Sequence, residues 1–235
     1  MASTRLELEM LPQPTVTTCG PTCLHAVYRY FGHQISLNDV IAQARQFPEG
    51  GTLAVFLGCH ALENGYTATI YTYNLEVFDP TWFGVSEPVL MEKLEEQAKA
   101  KTKKKLRNAT EGYLKFLQLG GEILFEELTP SLLRRHLKQG RPILTGLSAT
   151  YLYRSPRELP NCEYDDVAGE PSGHFVVLHG YDRETKEVFV ADPWKPNPLR
   201  GNHYYSVSIP RVINSILLGI LTYDANLLVI EPAER

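Results

Sequence analysis

The sequence contains few of the features that mark membrane-spanning or secreted proteins. Its apolar runs, such as Ile216 to Leu221, are much shorter than the roughly 20 residues of a transmembrane helix, and the amino terminus has no apolar signal core. The four cysteines are too few and too scattered to form a disulfide framework. These absences predict a cytoplasmic protein with reduced thiols and no membrane partner.

The chain also has little excess of charge of either sign. The formal net charge of −4 provides no general attraction for nucleic acid or for an anionic membrane surface, so neither is expected as a partner. Internal repeats and low-complexity segments are absent as well. Because 43% of the 235 residues are hydrophobic, the chain can bury a substantial core, and we expect one domain over residues 1–235.

Helical patterns come first along the chain, and strand patterns dominate its later part. Such an order predicts an α+β fold in which a helical layer packs on a C-terminal antiparallel sheet. Caps, turn residues and apolar periodicity set the approximate limits of each element. The predicted helices cover residues 19–31, 36–47, 52–65, 86–119, 130–139 and 210–218. The predicted strands cover residues 66–73, 142–147, 174–181, 188–192, 204–209 and 227–231.

The segment from about residue 86 to residue 119 is a predicted helical insertion, formed by one long helix or by two. Acidic residues from Glu92 to Glu96 precede basic residues from Lys99 to Arg107, an order that suits the helix dipole. The simplest interpretation is a solvated surface helix. A docking surface for a protein partner is the alternative.

A cysteine stands where the first helix is about to begin. Cys19 is followed by the small residues Gly20 and Pro21. Apolar residues with the spacing of one helical stripe come next: Leu24, Val27, Tyr28 and Phe31. Because proline suits the first helical turn, Cys19 is expected at the helix N-terminus, where unpaired N–H groups and the dipole favour a thiolate. Cys19 is therefore a candidate nucleophile, and the alternative is a small buried residue.

Two histidines share the strand predicted at residues 174–181. Since His174 and His179 are five residues apart, they face opposite sides of a regular strand, and only one can face the helix that carries Cys19. We choose His174, because it follows a glycine at the mouth of the strand. A histidine whose ring is satisfied by backbone groups is the alternative.

A carboxylate that orients His174 must lie close to it. Asp182 is eight residues along the same strand, roughly 26 Å away, and is too distant. Asp192 returns on the partner strand to within about three positions of His174, so it is the plausible orienting group. It would hold the ring tautomer and stabilise the imidazolium. An Asp-Pro strand terminator is the alternative reading of Asp192.

These segments resemble the motifs of the bacteriocin-processing cysteine peptidases, a papain-like family related to the double-glycine leader peptidases. The resemblance rests on Gln13 six residues before Cys19, on Cys-Gly-Pro-Thr-Cys, on Gly-His-Phe-Val-Val around His174 and on Val-Ala-Asp-Pro around Asp192. The separation of 155 residues between Cys19 and His174 is also similar to that of papain-like peptidases. The resemblance as a whole covers about half of the chain.

The resemblance implies a papain-like fold and a set of catalytic roles. Cys19 would be the nucleophile, His174 the general base and acid, Asp192 the orienting residue and Gln13 an oxyanion-hole donor beside the Cys19 backbone N–H. Members of the family commonly carry an acidic residue before the nucleophile, whereas this sequence has Thr18. We expect no coupling to export, because no transmembrane or nucleotide-binding segment is found.

The expected activity is hydrolysis of a peptide or amide substrate through an acyl-enzyme, without a cofactor or a metal. Acyl transfer to an amine uses the same intermediate and stays open, as does a non-catalytic peptide-binding module. Cys23, one helical turn after Cys19, is expected to pack in the core. A metal site formed by Cys19, Cys23, Cys59 and His60 is disfavoured, because the spacing is not that of zinc ligands. Trp194 is expected to shield Asp192 from water.

Overall fold

A computed structural model describes residues 3–48, 50–195, 197–199 and 201–233. The helices are α1 Cys19–Tyr30, α2 Leu37–Gln43, α3 Ala54–Glu63, α4 Glu87–Ala100, α5 Lys104–Gln118, α6 Pro130–Lys138, α7 Ala149–Tyr153 and α8 Ile209–Leu218. The strands are β1 Ser3–Arg5, β2 Tyr66–Thr72, β3 Glu122–Leu124, β4 Ile143–Ser148, β5 Gly173–Asp182, β6 Glu187–Ala191, β7 Tyr204–Ser208 and β8 Asn226–Pro232. Short 3₁₀ turns lie at Pro80–Trp82 and Gly219–Thr222.

All of these strands join one sheet in the order β3-β2-β8-β4-β5-β6-β7, and β1 pairs with the end of β5. The α+β class is confirmed. The sheet differs from the expected one in two details, because it includes β1, β2 and β3 from the first part of the chain and because β2 and β3 run parallel. Its other strand pairs are antiparallel.

Helices cover both faces of the sheet. Besides the helical layer that was predicted, a second helical layer packs on the opposite face. Along β5, Phe175 and Val177 pack in one apolar cluster, and Val176 and Leu178 pack in another. The first cluster contains residues of α1, α2, α3, α4 and α5, and the second contains residues of α6, α7 and α8. The alternation of side chains along a strand thus supplies both cores.

Helix α1 has the predicted start and packs against the beginning of β5. The thiol of Cys23 donates a hydrogen bond to the carbonyl oxygen of Phe175 at 3.3 Å, and a Cβ on Gly20 would lie 3.3 Å from the Phe175 ring. The helix ends at Tyr30, and Gly32 follows with a φ of +81°, a conformation that glycine adopts at little cost. These contacts place the N-terminus of α1 beside the first residues of β5.

The segment predicted as a helical insertion forms two helices, α4 and α5, rather than one. Their apolar residues Leu90, Leu94, Leu106 and Tyr113 are buried in the first cluster, so the pair is amphipathic and packs on the main core. Glu92, Glu95 and Lys99 lie on the outer part of α4. Among the described residues, no helix has the length and apolar character needed to cross a membrane.

Candidate active site

Cys19 is the first residue of α1, and its side chain is partly exposed. The N-cap residue, Thr18, makes no side-chain bond to the helix, because its hydroxyl donates to the Thr15 carbonyl at 3.0 Å. The backbone N–H of Thr22 pairs with the Thr18 carbonyl, whereas the N–H groups of Cys19 and Gly20 precede the first helical bond. The positive end of the helix dipole therefore lies at the Cys19 thiol.

His174 and Asp192 meet at the mouth of the hairpin formed by β5 and β6. Ala191 pairs with Val177, which places Asp192 within two or three strand positions of His174, as the hairpin register predicts. His174 Nε2 lies 2.8 Å from Asp192 Oδ1, and both side chains are buried. The hydrogen bond fixes the orientation of the His174 ring and leaves Nδ1 for a second partner.

The thiol of Cys19 is a second group that acts on the His174 imidazole. Burial favours the neutral ring, but the charge and hydrogen bond of Asp192, followed by the hydrogen bond and charge of Cys19, outweigh this effect and raise the pKa of His174 to about 10. The arrangement brings the three groups of Cys19, His174 and Asp192 together. It favours an imidazolium beside the Asp192 carboxylate.

The strand-face argument that singled out His174 does not explain this contact. Phe175 and Val177 face α1, and His179 lies on the same side of the sheet, because its ring centroid is 5.8 Å from that of Tyr204, which packs against the first cluster. His179 Nδ1 bonds the carbonyl of Leu6 at 2.9 Å instead. His174 reaches Cys19 because it is the second residue of β5, at the end of the sheet where α1 begins.

Four donors surround the Asp192 carboxylate. Its Oδ1 accepts from His174 Nε2 and from the Trp194 backbone N–H, each at 2.8 Å. Its Oδ2 accepts from the hydroxyls of Tyr153 and Tyr205, each at 2.6 Å. Burial acts to raise the pKa of Asp192, but the charge and bond of His174, followed by the two hydroxyls, hold it below its usual value.

Sequence reasoning missed both tyrosines. Tyr153 ends α7, which has five residues and is too short to show a helical period. Tyr205 lies in a strand that was predicted, but its contact with Asp192 depends on the pairing of β7 with β6, in which Tyr205 is opposite Val190. Only the alternation of polar and aromatic residues along β7 could have indicated an inward-facing Tyr205.

Gln13 lies beside the turn that leads into α1 and beside the residues that follow Asp192. Its backbone N–H donates to the Pro193 carbonyl at 2.9 Å, and its side-chain Nε2 donates to the Thr15 carbonyl at 2.9 Å. The Thr15 carbonyl also accepts from the hydroxyl of Thr18, the residue before Cys19. Since a carboxamide has two N–H donors, the bond to Thr15 uses one of them.

The ring of Trp194 lies beside His174 and Tyr153. Its ring centroid is 6.2 Å from that of His174 and 5.5 Å from that of Tyr153, with edge-to-face geometry in both cases. The shielding of Asp192 by this ring stays a prediction.

The other cysteines lie in settings unlike that of Cys19. Cys23 is fully buried, and burial, followed by the nearby Cys19 and Asp192, raises its thiol pKa well above the usual value. Burial also raises the pKa of Cys59, to about 11. Within the described parts of the chain, no group of three or more His, Cys, Asp or Glu side chains could hold a metal ion. Cys162 is exposed on the loop before β5.

A model of the family described as Peptidase_C39 like matches residues 5–212 of this chain. No curated protein sequence gives a significant match. Among solved structures, the chain is similar to xylellain, a cysteine protease from Xylella fastidiosa, with 15% sequence identity and a TM-score of 0.50 over 100% of this chain and 87% of that one. At this identity the likeness shows a shared fold.

Two further solved structures show weaker likeness. One is the peptidase domain of Streptococcus ComA, a bifunctional ABC transporter involved in quorum sensing, with 13% identity and a TM-score of 0.43 over 97% of this chain and 98% of that one. The other is a double glycine motif protease from an AMS/PCAT transporter, in complex with a leader peptide. It has 14% identity and a TM-score of 0.47 over 97% of this chain and 94% of that one.

Proposed function

This chain belongs to the Peptidase_C39 like family of cysteine-type peptidases, and on that premise we propose that Cys19, His174 and Asp192 form a catalytic triad that cleaves a peptide or amide bond. The family match and the likeness to xylellain also confirm the papain-like cysteine peptidase fold. One observation carries the proposal. His174 Nε2 lies 2.8 Å from Asp192 Oδ1, which leaves Nδ1 as the ring nitrogen available to Cys19.

The reaction begins with attack of the Cys19 sulfur on the acyl carbon, which forms the C–S bond of a tetrahedral intermediate. The C–N bond then breaks, and the His174 imidazolium gives its proton to the leaving amine. Water attacks the remaining thioester and gives a proton to His174 as the C–S bond breaks. The products are a carboxylic acid and an amine, and Cys19 is regenerated.

Two donors are proposed to stabilise the negative oxygen of the tetrahedral intermediate. The first is the backbone N–H of Cys19, which lies at the uncapped N-terminus of α1. The second is the carboxamide of Gln13, which is held beside the same turn through Thr15. Because the Gln13 backbone is also tied to Pro193, this donor is fixed relative to both halves of the site.

Selective alkylation tests the nucleophile. A low concentration of iodoacetamide at pH 6 should label Cys19 stoichiometrically and spare the buried Cys23 and Cys59. Cys162 is exposed, so Cys162→Ser is the background that makes the labelling unambiguous. An unreactive Cys19 would instead favour a non-catalytic peptide-binding module.

Loss of activity tests the reaction. Cleavage of a mixed peptide library, followed by mass spectrometry, should give defined products with the wild-type protein and none with Cys19→Ala. Cys23→Ala is the matched control, because it removes the neighbouring thiol without touching the reacting atoms. Full activity in the Cys19→Ala variant would end the proposal.

A further inference from the structure

We propose that Tyr153 and Tyr205 are positioning residues of this triad, which clamp Asp192 Oδ2 so that Oδ1 keeps His174 turned toward Cys19. The inference rests on the proposed function and extends it to a second layer of side chains.

The clamp is built from two distant parts of the chain. Tyr153 ends α7 and Tyr205 is the second residue of β7, yet both hydroxyls donate to the same carboxylate oxygen at 2.6 Å. Such lengths are at the short end for hydrogen bonds between a hydroxyl and an oxygen, as expected when the acceptor is charged. Two bonds from different directions leave Oδ2 a single position, so the plane of the carboxylate is fixed.

The clamp also completes the hydrogen bonding of a buried charge. Asp192 is 0% exposed, and an ionised carboxylate in that setting is costly unless its acceptor sites are filled. A carboxylate offers about four such sites, and the donors from His174, Trp194, Tyr153 and Tyr205 fill them. Without the hydroxyls, Oδ2 would be buried with no partner in the described structure.

The chemical nature of the clamp matters for catalysis. A lysine or arginine at Oδ2 would stabilise the carboxylate but would also cancel its charge, and so would weaken its hold on the His174 imidazolium. A phenol donates a hydrogen bond and carries no positive charge. Tyr153 and Tyr205 therefore keep Asp192 ionised while leaving its full charge to act on His174.

The rings themselves have a separate packing role, which the experiment must hold constant. Tyr153 lies 6.1 Å from His174 and 5.5 Å from Trp194 between ring centroids. Tyr205 is buried in the second cluster. Phenylalanine keeps both rings, so Tyr153→Phe and Tyr205→Phe remove the donor alone. Either single variant tests the clamp if the other fails to fold.

The first measurement compares kcat and KM for the two variants with those of Tyr151→Phe. Tyr151 is the matched control, because it lies on the same helix α7, is 41% exposed and has no contact with Asp192 in the described structure. Each clamp variant should lower kcat by about 10-fold with KM unchanged, since a hydrogen bond to a charged group is lost. Tyr151→Phe should match the wild type.

The second measurement is the rate of Cys19 alkylation against pH, in the Cys162→Ser background and without any substrate. Loss of a hydroxyl removes a bond that holds the pKa of Asp192 low, so the carboxyl takes up its proton at a higher pH. The acid limb of the alkylation profile should therefore move to higher pH in each clamp variant, and further when both are combined. A loss of packing alone would not move it.

The third measurement separates an effect through Asp192 from a general one. In an Asp192→Asn background, Tyr153→Phe and Tyr205→Phe should change kcat by less than about twofold, because the charge that they serve is gone. Equal losses in both backgrounds would overturn the clamp, as would a wild-type kcat and alkylation profile in both single variants. If the wild-type protein shows neither activity nor selective Cys19 alkylation, the triad itself is wrong, and the clamp falls with it.

Discussion

His174 Nε2 and Asp192 Oδ1 lie 2.8 Å apart in a buried part of the protein, since the two side chains are 7% and 0% exposed. In such a setting an unpaired charge would be costly, so each group makes the other's charged form tolerable. The backbone of Asp192 is fixed as well, because its N–H donates to the His203 carbonyl and its carbonyl accepts from His203 Nδ1. The pair is therefore held in place before any substrate arrives.

Asp192→Asn should lower kcat by about 100- to 10,000-fold, the range that a misplaced general base costs. The amide keeps the size of the side chain but loses the charge that stabilises the His174 imidazolium. The profile of kcat against pH should change shape too, because the raised pKa of His174 falls when that charge is removed. Asp182→Asn is the control, since the Asp182 carboxylate accepts a hydrogen bond from the Glu184 backbone N–H in the following turn. A fall in KM with unchanged kcat would contradict this prediction.

Gln13→Ala should slow turnover about 100- to 1,000-fold, as expected for loss of one oxyanion-hole donor, and should weaken substrate binding far less. The reason is that the donor acts on charge that develops only in the tetrahedral intermediate. Gln34→Ala is the matched control, because Gln34 is an exposed glutamine whose side chain bonds only the Gly32 carbonyl among the described residues. The measurement is a steady-state comparison of kcat and KM. A rise in KM alone would remove Gln13 from the catalytic group.

The starts of the helices could be predicted from the sequence because they depend on neighbouring residues. Ser36 accepts the Asp39 backbone N–H at 3.1 Å, and Thr129 accepts that of Leu132 at 3.2 Å, as their cap motifs predict. The predicted end of α2 was less accurate, since the helix stops at Gln43 rather than near residue 47. No strong stop signal lies between those two positions.

Contacts between distant strands and helices could not be predicted in the same way. The pairing of His174 with Asp192 follows from one hairpin, so its register could be estimated from strand length and turn position. The contacts of Tyr153 and Tyr205 need the packing of α7 and β7, which no local pattern encodes. The same holds for β3, a three-residue strand whose only described partner in the sheet is β2.

Trp194→Ala should lower kcat by about 10-fold, because water then reaches the bond between His174 and Asp192 and weakens it. The backbone N–H that Trp194 donates to Asp192 stays, so the substitution tests the ring alone. Trp194→Phe should keep most of the activity. Trp82→Ala serves as the control, since Trp82 is the last residue of the 3₁₀ turn before α4 and its ring lies beside Lys93. Equal kcat values for Trp194→Ala and the wild type would show that the ring shields nothing.

A second buried carboxyl should make the folded protein sensitive to pH. Asp224 is 5% exposed, and its Oδ2 accepts the Thr222 hydroxyl at 2.9 Å. A Cβ on Gly146 would lie 2.5 Å from its Oδ1, so the carboxyl is pressed against the backbone of β4. Burial raises the pKa of Asp224 to about 7, although the Thr222 bond and the positive charges of Lys105 and His174 oppose the shift.

The effect on stability follows from the protons bound in each state. Between about pH 4 and pH 7 the unfolded chain has lost the Asp224 proton while the folded protein keeps it, so the free energy of unfolding falls as the pH rises. Above about pH 7 both states are ionised and this contribution stays constant.

Asp224→Asn is neutral at every pH. Its Tm minus that of the wild type should therefore grow from pH 4 to pH 7 and then level off. Asp166→Asn, at an exposed position, should follow the wild-type curve in thermal unfolding. Parallel curves for Asp224→Asn and the wild type would show that the buried carboxyl does not take up a proton on folding.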